Sequence, residues 1–313
     1  MILVIGEALI DLIENRYQPG AFTAIVGGAN LNVATALARR NAAHTFYARM
    51  SSDRFGQIIR EKLTKNNVNF KNSIVTEENS TLAIVSLNEQ GVPTYSFYVN
   101  GTSDWGWTPD ELPKAQELKE QNINSIQFGC LTMAMEPGNL VIENWARELK
   151  DITISHDINI RSALGFDPNK EKERVERTNL FSHIIKASDE DIEWLYQNQR
   201  PVDEVAKEWA QDKIVLITRG ADGVSIFRND ERMDVPSRKI NVVDTVGAGD
   251  TFCANLLGQL QDNNYLGKDL TKIPSEELKN FVYIAGIAAS ITCERAGCEP
   301  PTQEDLQAVL HSH

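Results

Sequence analysis

Seven residues, Asp244-Thr245-Val246-Gly247-Ala248-Gly249-Asp250, set a carboxylate at the mouth of a glycine-rich turn. Directly after them Phe252, Leu256 and Leu260 recur at helical spacing, with Cys253 and Leu257 widening the apolar stripe. A turn that runs into a helix leaves the first backbone N–H groups without internal partners, and the helix dipole adds partial positive charge there. Gly247 and Gly249 are expected to take positive φ and to let a ligand approach the backbone closely. Such a turn binds phosphate oxygens. An acid repels phosphate, so Asp250 makes chemical sense where it accepts the proton of a hydroxyl attacking that phosphate. Cradle and base together describe phosphoryl transfer to an alcohol; for Gly-Ala-Gly-Asp alone, the competing reading is ordinary helix capping.

Further stretches carry compatible chemistry. Ile25-Val26-Gly27-Gly28-Ala29-Asn30-Leu31-Asn32 leads into a predicted helix that ends near Arg39-Arg40, with Leu31, Ala34, Leu37 and Ala38 as its apolar face. The paired glycines allow close approach to a small polyol, and the Asn32 amide can both donate and accept hydrogen bonds. Gly6-Glu7-Ala8-Leu9-Ile10-Asp11 follows the apolar run Ile2 to Ile5, a predicted buried strand. A carboxylate at Asp11 can accept two hydroxyl protons, which suits a vicinal diol. Asp157-Ile158-Asn159-Ile160-Arg161 follows the strand-like Ile152-Thr153-Ile154, and Thr218-Arg219-Gly220-Ala221-Asp222-Gly223 follows Ile214 to Ile217. Read in isolation, these last two are a surface arginine and a hairpin turn.

In this order, the stretches resemble the ribokinase-like sugar kinases of the phosphofructokinase-B type, over essentially the whole chain from Gly6 to Pro301. The resemblance implies an α/β fold, a ribokinase-like three-layer sandwich with a mostly parallel central sheet, as a single domain over residues 1–313. It implies an ATP-dependent carbohydrate kinase in which Asp250 is the general base and Gly247, Ala248 and Gly249 form the anion hole. Arg161 then bridges sugar and transferring phosphate, and Asp11, Gly27, Gly28, Asn32 and Asp104 hold the sugar. Thr218, Gly220, Gly223, Gly247, Gly249 and Asn280 border ATP, with Tyr283 beside Asn280. Mg²⁺ accompanies the nucleotide, and Asp244 and Thr245 are candidates for a monovalent cation, K⁺.

Two departures bear on the ions. Where the family carries Asn-x-x-Glu, this chain has Ser188-Asp189-Glu190-Asp191, so Asp191, acting through water, or Glu190 is the candidate for the magnesium shell. In Arg295-Ala296-Gly297-Cys298-Glu299-Pro300-Pro301, Pro301 stands where some relatives place a serine hydroxyl, and offers no such ligand. Fructose is the first choice of acceptor, from the opening Gly-Glu-Ala-Leu-Ile-Asp and the Trp-rich phrase near Asp104. The alternatives are 2-keto-3-deoxygluconate, with Arg16, Arg49 or Arg161 facing its carboxylate, ribose, or a nucleoside beside Phe97 and Tyr98. A regulator that binds sugar or nucleotide without catalysis is the reading from another class, and the intact Asp250 cradle stands against it.

The elements that must position these residues alternate between strand and helix from about Val26 onward, which predicts a largely parallel sheet covered by helices. One region breaks the rhythm: Thr81 to Leu87, then Glu89-Gln90-Gly91-Val92-Pro93, then Thr94 to Val99 reads as a hairpin. The resemblance implies that, with the segment near Leu12 to Ile25, it forms a discontinuous β lid, approximately 11–26 and 75–104, that excludes water. The resemblance also implies a homodimer through this sheet, whose edges and one face need covering. Trp105 and Trp107 read as anchors where the lid rejoins the core rather than as a sugar platform.

A hydrophobic content of 42% and charged content of 24% are those of an ordinary globular protein. The formal charge of −13 argues against nucleic-acid or anionic-membrane partners. Cys130, Cys253, Cys293 and Cys298 form no Cys-x-x-Cys pair and read as reduced, buried thiols of a cytoplasmic protein. Glu7, Asp11 and Glu14 interrupt any signal-peptide reading, no apolar stretch approaches transmembrane length, and His311-Ser312-His313 reads as a frayed tail.

Overall fold

Ile2–Ile5 is a run with no polar residue, and such a run suits a strand covered on both faces. In the computed structural model, which describes residues 1–87 and 93–311, it is strand β1 and all four residues are buried. The further strands are β2 (Leu9–Glu14), β3 (Phe22–Gly27), β4 (His44–Tyr47), β5 (Arg49–Ser51), β6 (Ile74–Thr76), β7 (Leu82–Leu87) and β8 (Pro93–Tyr98). They are followed by β9 (Ser125–Gly129), β10 (Thr153–Asp157), β11 (Ile184–Ser188), β12 (Ile214–Thr218), β13 (Val224–Arg228) and β14 (Glu231–Val235). The large sheet has the order β14-β13-β12-β11-β10-β9-β1-β4. From β4 to β12 every pairing is parallel, and the β13–β14 hairpin closes the far edge antiparallel. The predicted parallel sheet is present, with that antiparallel edge as an exception.

Strand alternation sorts the core into two layers. Ile2, Val4, Ile184, Ile214 and Leu216 pack on one face with the helices Ala29–Arg39, Ala248–Asp262 and Ser275–Cys293. Leu3, Ile5, Ile126 and Phe128 point to the opposite face near the helix Gly138–Arg147, as do Ile185, Val215 and Ile217 near the helices Asp189–Leu195 and Val202–Trp209. Helices on both faces of the sheet give the expected three layers. The helix Ala248–Asp262, here called the cradle helix, packs closely against Arg40: a Cβ on Gly258 would lie 1.4 Å from the guanidinium, which pairs with Asp262 at 2.9 Å.

The second sheet, in the order β3-β2-β7-β8, has the composition and place expected of the lid. Leu9–Glu14 and Phe22–Gly27 pair antiparallel, as do Leu82–Leu87 and Pro93–Tyr98, and β2 joins the halves in parallel. Most of the turn expected at Glu89 to Pro93 lies outside the described residues, as do Ser312 and His313. Leu12, Val26 and Leu82 on one side of this sheet pack on the main core, which holds the lid to the body. Trp105 and Trp107 are buried, 4% and 3% exposed, in clusters with Leu9 and Leu131 and with Leu3 and Phe128, so both act as anchors. Among the described residues no helix is long and apolar enough to cross a membrane.

Candidate active site

In open parallel sheets, ligands meet the carboxyl ends of strands where the chain order reverses. Here the chain leaves β1 for β4 on one side and returns to β9 on the other. At those strand ends lie Gly6-Glu7, Gly129-Cys130 and Asp157, with the N-termini of the cradle helix and of Ala29–Arg39 beside them.

Gly247 is the N-cap of the cradle helix at φ 76°, a left-handed conformation costly for residues with a Cβ. A Cβ there would also stand 2.1 Å from Cys298 Sγ. Gly249 departs from expectation: the helix has already begun at Ala248, so only Gly247 takes positive φ. Asp250 follows in the first turn and is 5% exposed. Its Oδ2 accepts a hydrogen bond from Asn32 Nδ2 at 2.8 Å, and its Oδ1 accepts a longer one from Asn159 Nδ2 at 3.5 Å. Burial, and next the charge of Asp157, push Asp250 up to about 7, against the pull of Asn32, Arg161 and Lys186. A carboxyl poised near neutrality suits a general base, because it can hold and release a proton at working pH.

Asp11 lies on β2, tight against Gly27: a Cβ at Gly27 would meet Asp11 Oδ2 at 2.3 Å. Desolvation raises its pKa while the Arg161 charge lowers it. Arg161 also acts on Asp250, so the fold brings the charges of residues 11, 161 and 250 into one crevice, with Asn32 at its wall. Strand β10 runs to Asp157, further than the Ile152 to Ile154 expected, and Arg161 itself is exposed. Gly28, at φ 113°, is the N-cap that aims the Ala29–Arg39 helix into this crevice.

Several expected ligands are instead used inside the protein. Asp104 is buried, with Oδ1 accepting from the Ala8 amide at 2.8 Å and Oδ2 from the Thr81 hydroxyl at 2.6 Å. It ties the start of β7 to the β1–β2 turn, and its role as a sugar ligand is corrected to a clamp. Burial raises its pKa to about 7, the donors from Thr81 and Ala8 opposing. Asp191 likewise accepts from the amides of Ile160 and Ser188, each at 2.8 Å, bracing the Asp157–Arg161 loop against β11. Its oxygens face amides rather than a metal shell, whereas Glu190 is exposed. Arg49 is consumed by Glu111, by Glu78 at 3.1 Å and by the Ser103 carbonyl at 2.9 Å, so it offers nothing to a substrate carboxylate.

Asp244 accepts from the amides of Val246 at 3.0 Å and Gly297 at 2.9 Å, stapling the C-terminal loop to the anion turn; Thr245 is exposed. Thr218 ends β12 and its hydroxyl donates to the Ala187 carbonyl at 3.3 Å. Gly220 and Gly223 shape the turn between β12 and β13. Asn280 is exposed on Ser275–Cys293, about 18 Å along that helix from Thr292 at 1.5 Å per residue. Thr292 meets Thr251 of the cradle helix at 3.1 Å. Cys130 and Cys253 are buried as expected, while Cys293 and Cys298 are partly exposed; all are free thiols.

Two clusters escape sequence reasoning. Glu7 accepts from Asn30 Nδ2 at 2.8 Å and from the Thr132 hydroxyl, locking β1 to the helix Cys130–Ala134. Lys186 is buried and pairs with Asp157 at 3.0 Å. A charged residue within an apolar run is a signal only once its partner is known, and these partners are distant in sequence.

The family model described as "pfkB family carbohydrate kinase" matches residues 1–305. The chain belongs to the pfkB family of carbohydrate kinases. A fructokinase of Rhizobium leguminosarum bv. trifolii is 35% identical over 286 residues, covering 90% of this kinase and 86% of that protein. The structure of a Xylella fastidiosa fructokinase with bound ATP superposes with TM-score 0.89 at 23% identity, covering 99% of this chain and 98% of that one. That of an uncharacterized sugar kinase from Pyrococcus horikoshii in complex with ATP does so with TM-score 0.80 at 26% identity, covering 98% and 97%. The kinase therefore has the ribokinase-like α/β fold read from its motifs.

Proposed function

We propose that this kinase transfers the γ-phosphate of ATP to a hydroxyl of fructose. The observation that carries the proposal is the Asn32–Asp250 contact, which joins the two glycine signatures around one buried carboxyl poised near neutrality. ATP lays its terminal phosphates on the turn Gly247-Ala248-Gly249 at the helix N-terminus, where the Ala248 amide, which donates to the Thr245 carbonyl at 3.2 Å, would have to be shared with the phosphate. Thr218, Gly220, Gly223 and Asn280 line the way to its base. The sugar sits between Asp11, Gly27, Gly28 and Asn32 beneath the lid, and Asp250 takes the proton of the attacking hydroxyl. Arg161, already coupled to Asp11 and Asp250, offsets the charge that develops between them. Asn32 and Asn159 hold the carboxylate in line. The fructokinase of R. leguminosarum bv. trifolii supports fructose as acceptor.

Among the described residues no three His, Cys, Asp or Glu side chains converge as a metal cage. The donor set fits a Mg²⁺ that arrives on the nucleotide phosphates with its own waters, with the exposed Glu190 as the candidate carboxylate for its shell. A monovalent cation beside Asp244 and Thr245 would organise the loop that Asp244 already staples. On the side of the lid that carries Asp11, Ile13 and Ile25 are 40% and 45% exposed, and Asp11 pairs with Ile25 across the strands. A second copy of the kinase, lid against lid, would cover them.

The test is ADP release from ATP and Mg²⁺ with fructose, 2-keto-3-deoxygluconate, ribose, glucose and nucleosides. Fructose is expected to give the highest kcat/KM; a higher value for any other acceptor would replace it in the proposal.

A further inference from the structure

Lys186 is register partner to Asp157 across β10 and β11, and alternation places it on the same face as Ile184, which packs toward the cradle helix. A Cβ at Gly249 would stand 2.8 Å from Lys186 Nζ, so the bare Cα of Gly249 is what admits the ammonium to the base of the anion turn. Nζ pairs with Asp157 Oδ1 at 3.0 Å, while Asp157 Oδ2 is approached by Cys253 Sγ at 3.6 Å, from the turn after Asp250. That Oδ1 accepts no well-oriented hydrogen bond, so the ammonium lies off its lone pairs. An ammonium has three donors, and no other acceptor bonds Nζ among the described residues. A buried cation with donors to spare is costly unless an anion completes its shell.

We propose that Lys186 is a catalytic residue: its ammonium contacts the terminal phosphate of ATP from beneath Gly249, sharing itself between that phosphate and Asp157. The role deepens the proposed function and rests on it. In the resting enzyme Asp157 neutralises Lys186. When phosphate arrives, the cation stabilises the charge on the transferring group while Asp157 keeps Nζ in place. The bond to the leaving ADP oxygen breaks as the bond from the sugar hydroxyl forms, and the hydroxyl proton goes to Asp250. Lys186 gives up no proton in this step.

Lys186→Met alone would strand a buried Asp157, so the decisive protein is the pair variant Asp157→Asn with Lys186→Met. The measurements are calorimetric affinities for ATP and for AMP, and kcat with fructose. The pair variant is expected to bind AMP as the parent does and ATP at least ~10-fold more weakly. Its kcat should be about 10²-fold lower, the scale of losing one preorganised charge-stabilising donor. Lys186→Arg keeps the ion pair but presses a larger head on Gly249, and is expected to lose kcat with AMP affinity unchanged; it decides the matter if the pair variant does not fold. A parental ATP-to-AMP affinity ratio and kcat in either variant would reduce Lys186 to a strand-to-strand tie. If the parent itself phosphorylates no fructose, the proposed function falls, and the affinity ratio still tests the contact.

Discussion

Replacing Asp250 with asparagine should make the kinase more stable while disabling it. The carboxyl is 5% exposed and is held up to about 7, chiefly by burial and then by Asp157, from an ordinary 3.8. At 1.36 kcal/mol per unit, that shift corresponds to about 4 kcal/mol against the folded state once the group is ionised. The sign follows from which state ionises first. As pH rises from 3.8, the unfolded chain releases this proton while the folded protein keeps it, and stability drains away until the pH passes about 7. The introduced amide cannot ionise and can keep its oxygen toward Asn32, but its NH₂ then faces Asn159, which offsets part of the gain. The expected net gain is about 2–3 kcal/mol at about pH 8, shrinking toward zero near pH 4. Urea denaturation of parent and variant at both pH values measures it. A variant less stable than the parent at pH 8, or a gain that persists unchanged in acid, would show that the buried carboxyl carries no such penalty.

Three further outcomes are expected. Asn32→Ala removes a donor that lowers the pKa of Asp250, so the acid limb of kcat/KM should move up from about 7; by the usual worth of a bond to a charged group the move is about 1 unit. A pH profile with an unmoved limb would separate Asn32 from the base. Asp191→Ala leaves the amides of Ile160 and Ser188 without their carboxylate, which should lower stability by about 2–4 kcal/mol in denaturant titration. A loss below about 0.5 kcal/mol, the ordinary scatter of surface changes, would show the brace to be idle. Asp11→Ala should raise the fructose KM well above any change in the ATP KM, and equal changes in steady-state kinetics would place Asp11 outside the sugar pocket.

The parts of this kinase that are legible in the sequence are those whose chemistry is local. The Asp244–Asp250 turn, the helix after Gly28 and the buried run Ile2–Ile5 each carry their pattern within a few residues, and each is present, Gly249 alone differing by lying already in the helix. The lid is legible because a hairpin needs no helix between its strands. How carboxylates are spent is not. Asp104 and Asp191 look like ligands in a string, yet each is occupied by amides or hydroxyls that the fold brings from elsewhere, Ala8 lying 96 positions from Asp104. Lys186 is silent in the string for the converse reason: its value depends on Gly249 and Asp157, which only the sheet and the cradle helix set beside it.

On the proposed function, Asp250 is the base in transfer from ATP to fructose. Its most direct test is the rate of fructose phosphate formation by parent and Asp250→Asn at pH near 8, followed by phosphorus NMR with both substrates saturating. Product is expected from the parent, with a rate about 10²–10⁴-fold lower from the variant, which still binds ATP and fructose. Product formed by the variant at near-parental rate would contradict that role for Asp250.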